Sequence, residues 1–306
     1  MIFKTCKAYR RLVSIGTGAA LLGSIAMAGS VAAASAIALP HIHGLAYDTG
    51  GRLHVAAHDG LVVFSEGRWS SGSQARHDYM GFTGTRRHFF SSGHPAPGSG
   101  MPNPLGLMQS ADAGKSWAKR GLEGESDFHL LAAGFDNDAV YVSNPAPNSR
   151  MRQAGISYTL NQGFSWRRAA GAGLNGQLRS LAVHPSNEAI VAAGTDAGVF
   201  LSRDHGERFE PLARGQRGLA LQFDPDGRSL WVGSFDAGPT LQRMSFDGPR
   251  RESVALPKLG RDAVAYIAHN PARPGEMAIA TFERSVFVSQ DRGKTWKEIA
   301  THGQSK

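Results

Sequence analysis

The segment Ser289-Gln-Asp-Arg-Gly-Lys-Thr-Trp296 decides the fold, because three relatives of it occur earlier in the chain. They read Ser110-Ala-Asp-Ala-Gly-Lys-Ser-Trp117, Thr159-Leu-Asn-Gln-Gly-Phe-Ser-Trp166 and Ser202-Arg-Asp-His-Gly-Glu-Arg-Phe209. The four segments start 49, 43 and 87 residues apart. Since 87 is about twice 43, the last interval should contain one degenerate unit, which gives a period of about 45 residues. That period is typical of one four-stranded blade of a β-propeller.

Each position of the repeated motif has a mechanical role in a tight turn. The Asp or Asn oxygen accepts backbone N–H groups, the glycine adopts a positive φ, and the final aromatic ring fills the gap between neighbouring sheets. We therefore interpret the third residue of each copy as structural, namely Asp112, Asn161, Asp204 and Asp291. We also expect the final tryptophans to be largely buried. The motif predicts architecture rather than chemistry.

The pattern of strands repeats around each copy of the motif. Its clearest form is an alternating strand at 178–183, a turn, and two further strands at 189–193 and 198–201 that lead into the motif. Residues 44–64 and 219–244 keep the same order without the motif. The count predicts an all-β fold, a six-bladed β-propeller over residues 39–306, with about 44 residues per blade and no room for a seventh.

Residues 1–38 do not fit the repeat and are typical of a secretory signal peptide. Basic residues within 4–11 precede an apolar stretch at 12–28, and small residues at 34–38 offer a cleavage site. The alternative is an uncleaved membrane anchor, because the apolar stretch approaches spanning length. We therefore expect an exported protein, periplasmic or extracellular, that is a monomer and has no membrane span after cleavage.

Cysteine content and charge exclude several classes of function. The only cysteine, Cys6, lies in the predicted signal, so the mature chain would have neither disulfides nor thiolate ligands. Loss of residues 1–38 lowers the formal charge from +8 to +4, because this segment contains four basic and no acidic residues. The remaining basic residues are scattered, which does not favour nucleic acid. No glycine-rich phosphate loop opens a helix and no cysteine motif is present, so we expect no organic cofactor.

The four motifs are Asp boxes, and through them the chain resembles the Asp-box (BNR-repeat) β-propeller superfamily. That superfamily includes sialidases, sortilin-type receptors and photosystem II assembly factor-like propellers. The stretches that begin at His41, Asp78, Ser92 and Asp127 are similar to an uncharacterised branch of secreted bacterial proteins often labelled glycosyl hydrolase. The resemblance implies a propeller over almost the whole mature chain. It also implies that the boxes lie on the rim away from the usual binding face.

The face opposite the boxes should therefore hold the functional site. It carries the starts of the innermost strands and the loops between second and third strands, which are polar in the first three blades. Seven of the twelve histidines lie between His41 and His94. Six residues of this face are candidate metal ligands: His41, His43, His58, Met80, His94 and His129. Four others are candidate ligand-binding residues: Asp59, Asn144, Arg179 and Arg217. We interpret the remaining histidines as surface or turn residues, namely His54, His77, His88, His184, His205, His269 and His302.

The candidate ligands favour copper. Neutral imidazole binds zinc and copper, and a thioether beside imidazole in a protein without thiolates favours copper, with Cu(I) as the softer ion. His43, Met80 and His129 have the same register on three successive inner strands, so we expect one copper ion with His43 and His129 as core ligands. Zinc is the alternative ion. In a purely structural interpretation, the histidines bond to backbone groups at strand ends and Met80 fills the channel.

Two long loops should rise beside the same channel mouth. Residues 91–107 and 143–153 are too long for plain hairpins and are rich in proline. They form either a lid over a ligand or a rigid rim. Met101 and Met151 could add soft ligands from these loops.

Two other functions stay open. One is a non-catalytic platform that binds a protein or a glycan. The other is a sialidase-like glycoside hydrolase, which needs two carboxyl groups facing each other across the pocket. Its catalytic residues would be Asp78 and Asp127, with Tyr79 as the phenol and Glu283 as a further carboxylate, although the arginine motif of sialidases is missing before the first blade. We therefore hypothesise an accessory protein that binds a metal ion rather than an enzyme.

Overall fold

The computed structural model describes residues 36–306, and every helix or strand assigned in this range is a β-strand. The strands form six antiparallel sheets, and the first strand of each sheet lies beside the first strands of the two neighbouring sheets. The six first strands therefore line a central channel, and the sheets are the blades of a propeller. The predicted six-bladed all-β fold is confirmed. Nearly all of the predicted signal peptide lies outside the described residues, and residues 36–306 contain no helix that is long and apolar enough to cross a membrane.

The blades follow one another along the chain. Blade 1 contains β1 (Ile42–Tyr47), β2 (Leu53–Ala57), β3 (Gly60–Ser65) and β4 (Arg68–Ser71); blade 2 contains β5 (Thr83–Gly84), β6 (Phe89–Ser91), β7 (Leu107–Ser110) and β8 (Ala118–Gly121); blade 3 contains β9 (Leu131–Ala133), β10 (Val140–Asn144), β11 (Gly155–Thr159) and β12 (Arg167–Arg168). Blade 4 contains β13 (Leu178–Val183), β14 (Val191–Thr195), β15 (Gly198–Ser202) and β16 (Glu210–Arg214); blade 5 contains β17 (Ala220–Phe223), β18 (Ser229–Phe235), β19 (Pro239–Ser245) and β20 (Arg251–Val254); blade 6 contains β21 (Val264–His269), β22 (Met277–Thr281), β23 (Val286–Ser289), β24 (Lys297–Thr301) and β25 (Gln304–Ser305).

The hydrophobic core is divided among the interfaces between blades. Six clusters of buried side chains occur in the described range, and each joins two neighbouring blades, including the sixth and the first. Strands such as β2 and β14 are buried along their whole length because they have a blade on both faces. Burial of apolar surface contributes about 25 cal/mol per Å², so these interfaces hold the ring together.

Residues 37–39 close the ring at the outer edge of blade 6. Ala38 pairs antiparallel with Gln304 of β25, and the Leu39 N–H donates to the Gly303 carbonyl at 2.7 Å. The Leu39 side chain is fully buried in the cluster that joins blades 6 and 1. The predicted boundary at residue 38 therefore falls inside a paired segment of the propeller.

Each box closes the turn between the third and fourth strands of its blade. In the first box, the Gly114 N–H donates to Ser110 Oγ at 2.8 Å, Ser110 Oγ donates to Asp112 Oδ1 at 2.8 Å, and the Ser116 N–H donates to Asp112 Oδ1 at 2.9 Å. The box that begins at Ser289 repeats this pattern. The aspartate oxygen thus accepts hydrogen bonds within the turn, and the first residue of the motif also accepts one, a role that the sequence analysis did not assign.

The aromatic residues that end the boxes differ in burial. Phe209 is 3% exposed, as expected. Trp117, Trp166 and Trp296 are more exposed than Phe209, but each packs against a cluster between blades, so most of each ring is covered, as expected. Each tryptophan directly precedes the fourth, outermost strand, where only the neighbouring blade covers it.

Candidate functional site

The antiparallel order of the strands separates the boxes from the predicted site. Turns between first and second strands and between third and fourth strands lie at one end of every blade, and loops between second and third strands lie at the other end. The boxes occupy the first end. His43 at the start of β1 and His58 between β2 and β3 belong to the other end, which we call the channel mouth.

Four predicted metal ligands and two aspartates at the channel mouth form two groups on neighbouring blades, and a fifth predicted ligand, His41, lies beside the first group. Cluster A consists of His43, His58 and Asp78, and cluster B consists of His94, Asp127 and His129. Within each cluster, the three atoms that could bind a metal lie within 4.8 Å of one another. His43 and His129, which we expected to bind the same ion, belong to different clusters.

Cluster A contains two buried polar atoms that face each other without a hydrogen bond. His43 Nε2 lies 3.4 Å from Asp78 Oδ1, and neither atom has a hydrogen-bond partner in the described part of the chain. His58 Nδ1 lies 2.8 Å from the other carboxylate oxygen, Asp78 Oδ2. The side chains of His43 and Asp78 are 17% and 12% exposed, so water screens their interaction weakly.

The protonation of His43 suits a metal ligand. Burial lowers the pKa of His43 below its ordinary value, the Asp78 carboxylate opposes this, and His41, His58 and His129 add to it. His43 is therefore neutral near pH 7, and a neutral imidazole offers the lone pair that a metal ion binds.

Cluster B includes an outer residue that fixes one imidazole. His94 Nδ1 lies 2.7 Å from Asn103 Oδ1, and because an amide oxygen only accepts, Nδ1 must carry the hydrogen. In neutral His94 the lone pair then lies on Nε2, which is 3.2 Å from Asp127 Oδ2. His129 Nε2 lies 2.6 Å from the same oxygen. A lone pair and a carboxylate at this distance repel each other unless a proton or a metal cation lies between them.

Both aspartates lie in the segments that lead into the first strands of blades 2 and 3, each directly before a buried aromatic residue. Asp78 precedes Tyr79 and Asp127 precedes Phe128, and both aromatic side chains are fully buried between blades. Since successive side chains of an extended segment point to opposite sides, burial of each ring turns its aspartate outward. The same Asp-aromatic pattern therefore builds one cluster in each of two blades.

The channel below the clusters is a cavity of about 140 Å³. His43 and His129 border it, one from each cluster, and Arg179 of β13 borders it from blade 4. Arg179 forms no ion pair with a carboxylate in residues 36–306. The side chain of Phe282 is 60% exposed beside the same cavity.

Two of the predicted ligands lie beside cluster A. The exposed ring of His41 stacks on His43, with 6.2 Å between ring centroids, and lies 5.9 Å from the ring of His58. The backbone N–H of Met80 donates to the Asp78 carbonyl. A role of the Met80 thioether as a ligand stays a prediction.

Asn144 and Met151 are not available to a ligand, so these predictions are wrong. Asn144 is 1% exposed, donates to the Gln153 carbonyl at 3.0 Å and accepts from Asn148 Nδ2 at 3.2 Å. Met151 is buried in the core between blades 2 and 3. The loop 143–153 is thus held by its own hydrogen bonds.

The residues proposed for a hydrolase do not form a nucleophilic pair. Tyr79 is fully buried, its ring stacks on Trp117 at 4.9 Å, and burial raises its pKa well above the ordinary value. The prediction that its phenol could attack a substrate is therefore wrong. The Glu283 carboxylate is exposed and lies 3.5 Å from His302 Nδ1.

Asp59 and Arg217 lie away from the cavity. Asp59 is exposed, and its carboxylate is 3.8 Å from Arg76. Arg217 is exposed and does not border the cavity. Of the four candidate ligand-binding residues, the structure brings Arg179 alone to the cavity.

Three histidines interpreted as surface or turn residues are buried; this corrects the interpretation for His54 and His77, whereas His184 does lie in the predicted turn between β13 and β14. His54 Nε2 lies 3.1 Å from Asp48 Oδ2, His77 Nδ1 accepts the Ala96 N–H at 2.8 Å, and His184 Nε2 donates to a backbone carbonyl. Each ring contacts a polar neighbour within the fold through one nitrogen and lies outside both clusters.

Comparison with known proteins supports the architecture. The model of the BNR/Asp-box repeat matches residues 287–298, which contain the last box. The solved structures that resemble the chain include the GH74 enzyme of Niastella koreensis, with 13% identity and a TM-score of 0.59 over 86% of this chain and 46% of that one. An ancestral GH74 enzyme has 13% identity and a TM-score of 0.52 over 88% and 40%.

A further similar structure is the extracellular domain assigned to the hybrid two-component system BT4673 of B. thetaiotaomicron. It has 11% identity and a TM-score of 0.53 over 87% of this chain and 33% of that one. The chain therefore spans less than half the length of these three structures. None of the curated proteins compared with the chain matches it.

Proposed function

We propose that this Asp-box β-propeller is an exported protein that binds a divalent transition-metal ion, copper in the first place, at its channel mouth. The observation that supports the proposal most strongly is the pair His43 Nε2 and Asp78 Oδ1, two buried atoms 3.4 Å apart without hydrogen-bond partners. Buried polar atoms are nearly always satisfied, and a cation bound between these two would satisfy both.

The distances suit one ion in cluster A. With metal–ligand bonds of about 2.0–2.2 Å, two donors lie about 2.9 Å apart at a right angle and about 3.4 Å apart at the tetrahedral angle. Asp78 Oδ2 lies 2.8 Å from His58 Nδ1, and the other oxygen, Asp78 Oδ1, lies 3.4 Å from His43 Nε2. One ion could therefore bind both imidazoles with one or both of the carboxylate oxygens. Cluster B presents the same donor set, two imidazoles and one carboxylate.

The donor set favours Cu(II) over Cu(I). Carboxylate is a hard ligand and Cu(I) prefers soft ones, whereas imidazole suits both copper and zinc. Among divalent ions of the first row, Cu(II) generally binds a given nitrogen and oxygen site most tightly, so zinc is the second candidate. The sequence analysis expected a copper ion of either oxidation state, and the donor set of the clusters narrows this to Cu(II).

A glycoside hydrolase is less well supported. Asp78 and Asp127 each contact two imidazoles, and neither borders the cavity, whereas a glycoside hydrolase needs two carboxyl groups that face each other across its pocket. The similarity to GH74 enzymes supports the fold alone. We propose an accessory or metal-handling role without catalysis.

The test is calorimetric titration of Cu(II), Zn(II) and Cu(I) into the mature, metal-free protein. We expect Cu(II) to bind most tightly and the double variant His43→Ala/His129→Ala to lose binding while keeping its unfolding temperature. Asp59→Ala, next to His58 but outside the cluster, is the matched control and should bind as the wild type does. Affinity of the wild type no better than that of the double variant would overturn the proposal and favour a protein or glycan platform.

A further inference from the structure

We infer that the cavity below the two clusters binds a small anion, a carboxylate or an oxyanion, between Arg179 and a metal ion held by cluster A or cluster B. This inference rests on the proposed function and adds the class of ligand that the metal site would take.

The first argument is the charge of the cavity. Arg179 borders it with a permanent positive charge, and no carboxylate borders it in the described part of the chain. Asp78 and Asp127 are engaged with the imidazoles of their clusters. A divalent ion in either cluster would add further positive charge. An anion from solution could balance this charge by binding the ion and Arg179 together.

The second argument is coordination. Each cluster supplies three protein donors, whereas zinc and copper take four or more, and a site with three protein ligands leaves a position for an external ligand. His43 and His129 border the cavity, so an ion bound to either imidazole lies next to it. A ligand in the cavity can therefore reach the metal.

The third argument is the guanidinium group of Arg179. Arg179 pairs with no carboxylate in residues 36–306, so its donors are free for a ligand. A guanidinium group has a planar pair of donors that matches carboxylate and phosphate. Arg179 thus supplies the second anchor, on the side of the cavity that blade 4 forms.

The size of the cavity limits the ligand. Its volume of about 140 Å³ is well below the roughly 300–1,000 Å³ of pockets that enclose a drug-sized molecule. A small anion fits there, whereas an oligosaccharide does not.

The experiment titrates azide into the Cu(II)-loaded mature protein, because azide gives a charge-transfer absorption band when it binds Cu(II). We expect saturable binding in the wild type and about tenfold weaker binding in Arg179→Gln, since a hydrogen bond to a charged group is worth roughly one to two factors of ten. Arg214→Gln, an exposed arginine of the same blade outside the cavity, is the control and should bind azide as the wild type does. Acetate and phosphate are then added to compete with azide. The stronger competitor shows whether the site prefers a carboxylate or an inorganic oxyanion.

The outcomes separate this inference from the proposed function. Copper content is measured for every variant, and Arg179→Gln should keep the copper content of the wild type. Equal azide affinity in the wild type and in Arg179→Gln, with copper bound to both, would overturn the anion site and leave the metal site standing. Failure of the wild type to bind copper would overturn both. Arg179→Lys keeps the positive charge but not the planar pair of donors, so its affinity for azide should lie between those of the wild type and Arg179→Gln. This variant also tests the inference if Arg179→Gln does not fold.

Discussion

Asp78 and His94 are paired by two backbone hydrogen bonds, each N–H donating to the other residue's carbonyl at 3.0 Å. Asp78 belongs to cluster A and His94 to cluster B, so the two clusters share one rigid backbone bridge. Gly93 makes this approach feasible, because it has a φ of +121° and a Cβ there would lie 1.9 Å from the Asp78 carbonyl oxygen. In such a pair the side chains project from the same face, about 5 Å apart at Cβ.

We expect this proximity to couple the two clusters. Two divalent ions so close repel each other, so the wild type should bind two ions with unequal affinity, the second more weakly than the first. His43→Ala should leave a single site, cluster B, that does not show this weakening. Native mass spectrometry during Cu(II) titration measures the populations with one and two ions. A single ion per wild-type molecule at saturation would contradict the two-ion prediction.

Asn103 should control the affinity of cluster B alone. Its amide oxygen fixes the hydrogen of His94 on Nδ1 and thereby presents Nε2 to the metal. Loss of such an outer partner typically weakens metal binding about 10–100-fold, so Asn103→Ala should do so in the background of His43→Ala, where cluster B binds alone. Ser99→Ala in the same loop is the control. Asn103→Asp keeps an acceptor oxygen and should restore binding, whereas a merely structural role of the loop would not be rescued in this way.

The fold was predictable from the sequence because the boxes repeat with a fixed period, and Asp291 in the last box has the same turn geometry as Asp112 in the first. The candidate site was predictable in part. The order of the strands predicted which face holds the site and which histidines lie on it. Asp78 and Asp127 were assigned to catalysis instead, because sequence spacing does not reveal which side chains on different blades meet. The contact between His94 and Asp127 depends on the path of a long loop, which no periodicity specifies.

The first residue of a box should contribute to stability and leave metal binding unchanged. Ser110 is 1% exposed, and its Oγ accepts the buried Gly114 N–H. Ser110→Ala leaves that N–H without a partner, which should lower the free energy of unfolding by about 1–3 kcal/mol. Lys115→Ala, exposed in the same turn, should change it little. Urea denaturation and copper titration of both variants provide the measurement, and a folded Ser110→Ala protein that lost copper would contradict the placement of boxes and site at opposite ends.

The box aromatics should differ in their contribution to stability. Phe209 is 3% exposed, so Phe209→Ala should cost about 3–5 kcal/mol. Trp166 is only partly buried, so Trp166→Ala should cost less, about 2 kcal/mol. Denaturant unfolding of the two variants, with equal slopes to confirm two-state behaviour, gives the comparison. If Trp166→Ala lowered the free energy of unfolding more than Phe209→Ala does, the exposed fraction of the ring would not determine its contribution to stability, and the prediction would be wrong.

His269 at the end of β21 should make the protein less stable in mild acid. Burial lowers its pKa to about 4, the Asp224 carboxylate opposes this, and Arg292 and Arg243 add to it. Its Nε2 has no hydrogen-bond partner in residues 36–306, and its ring packs on Trp231 at 5.3 Å. The imidazole is therefore held neutral in the folded state at pH values where the unfolded chain binds a proton.

The sign follows from these two protonation states. Above about pH 6.5, His269 is neutral in both states and contributes nothing to the pH dependence. Between about pH 6.5 and pH 4 the unfolded state alone takes up the proton, so the free energy of unfolding falls as the pH falls, by at most about 3 kcal/mol. His269→Gln removes this component, so the free energy of unfolding should depend less on pH. Urea denaturation at several pH values, with a chelator present, measures this dependence. His302→Gln, at an exposed position, is the control and should leave it unchanged. Parallel profiles for the wild type and His269→Gln would show that His269 is protonated alike in both states.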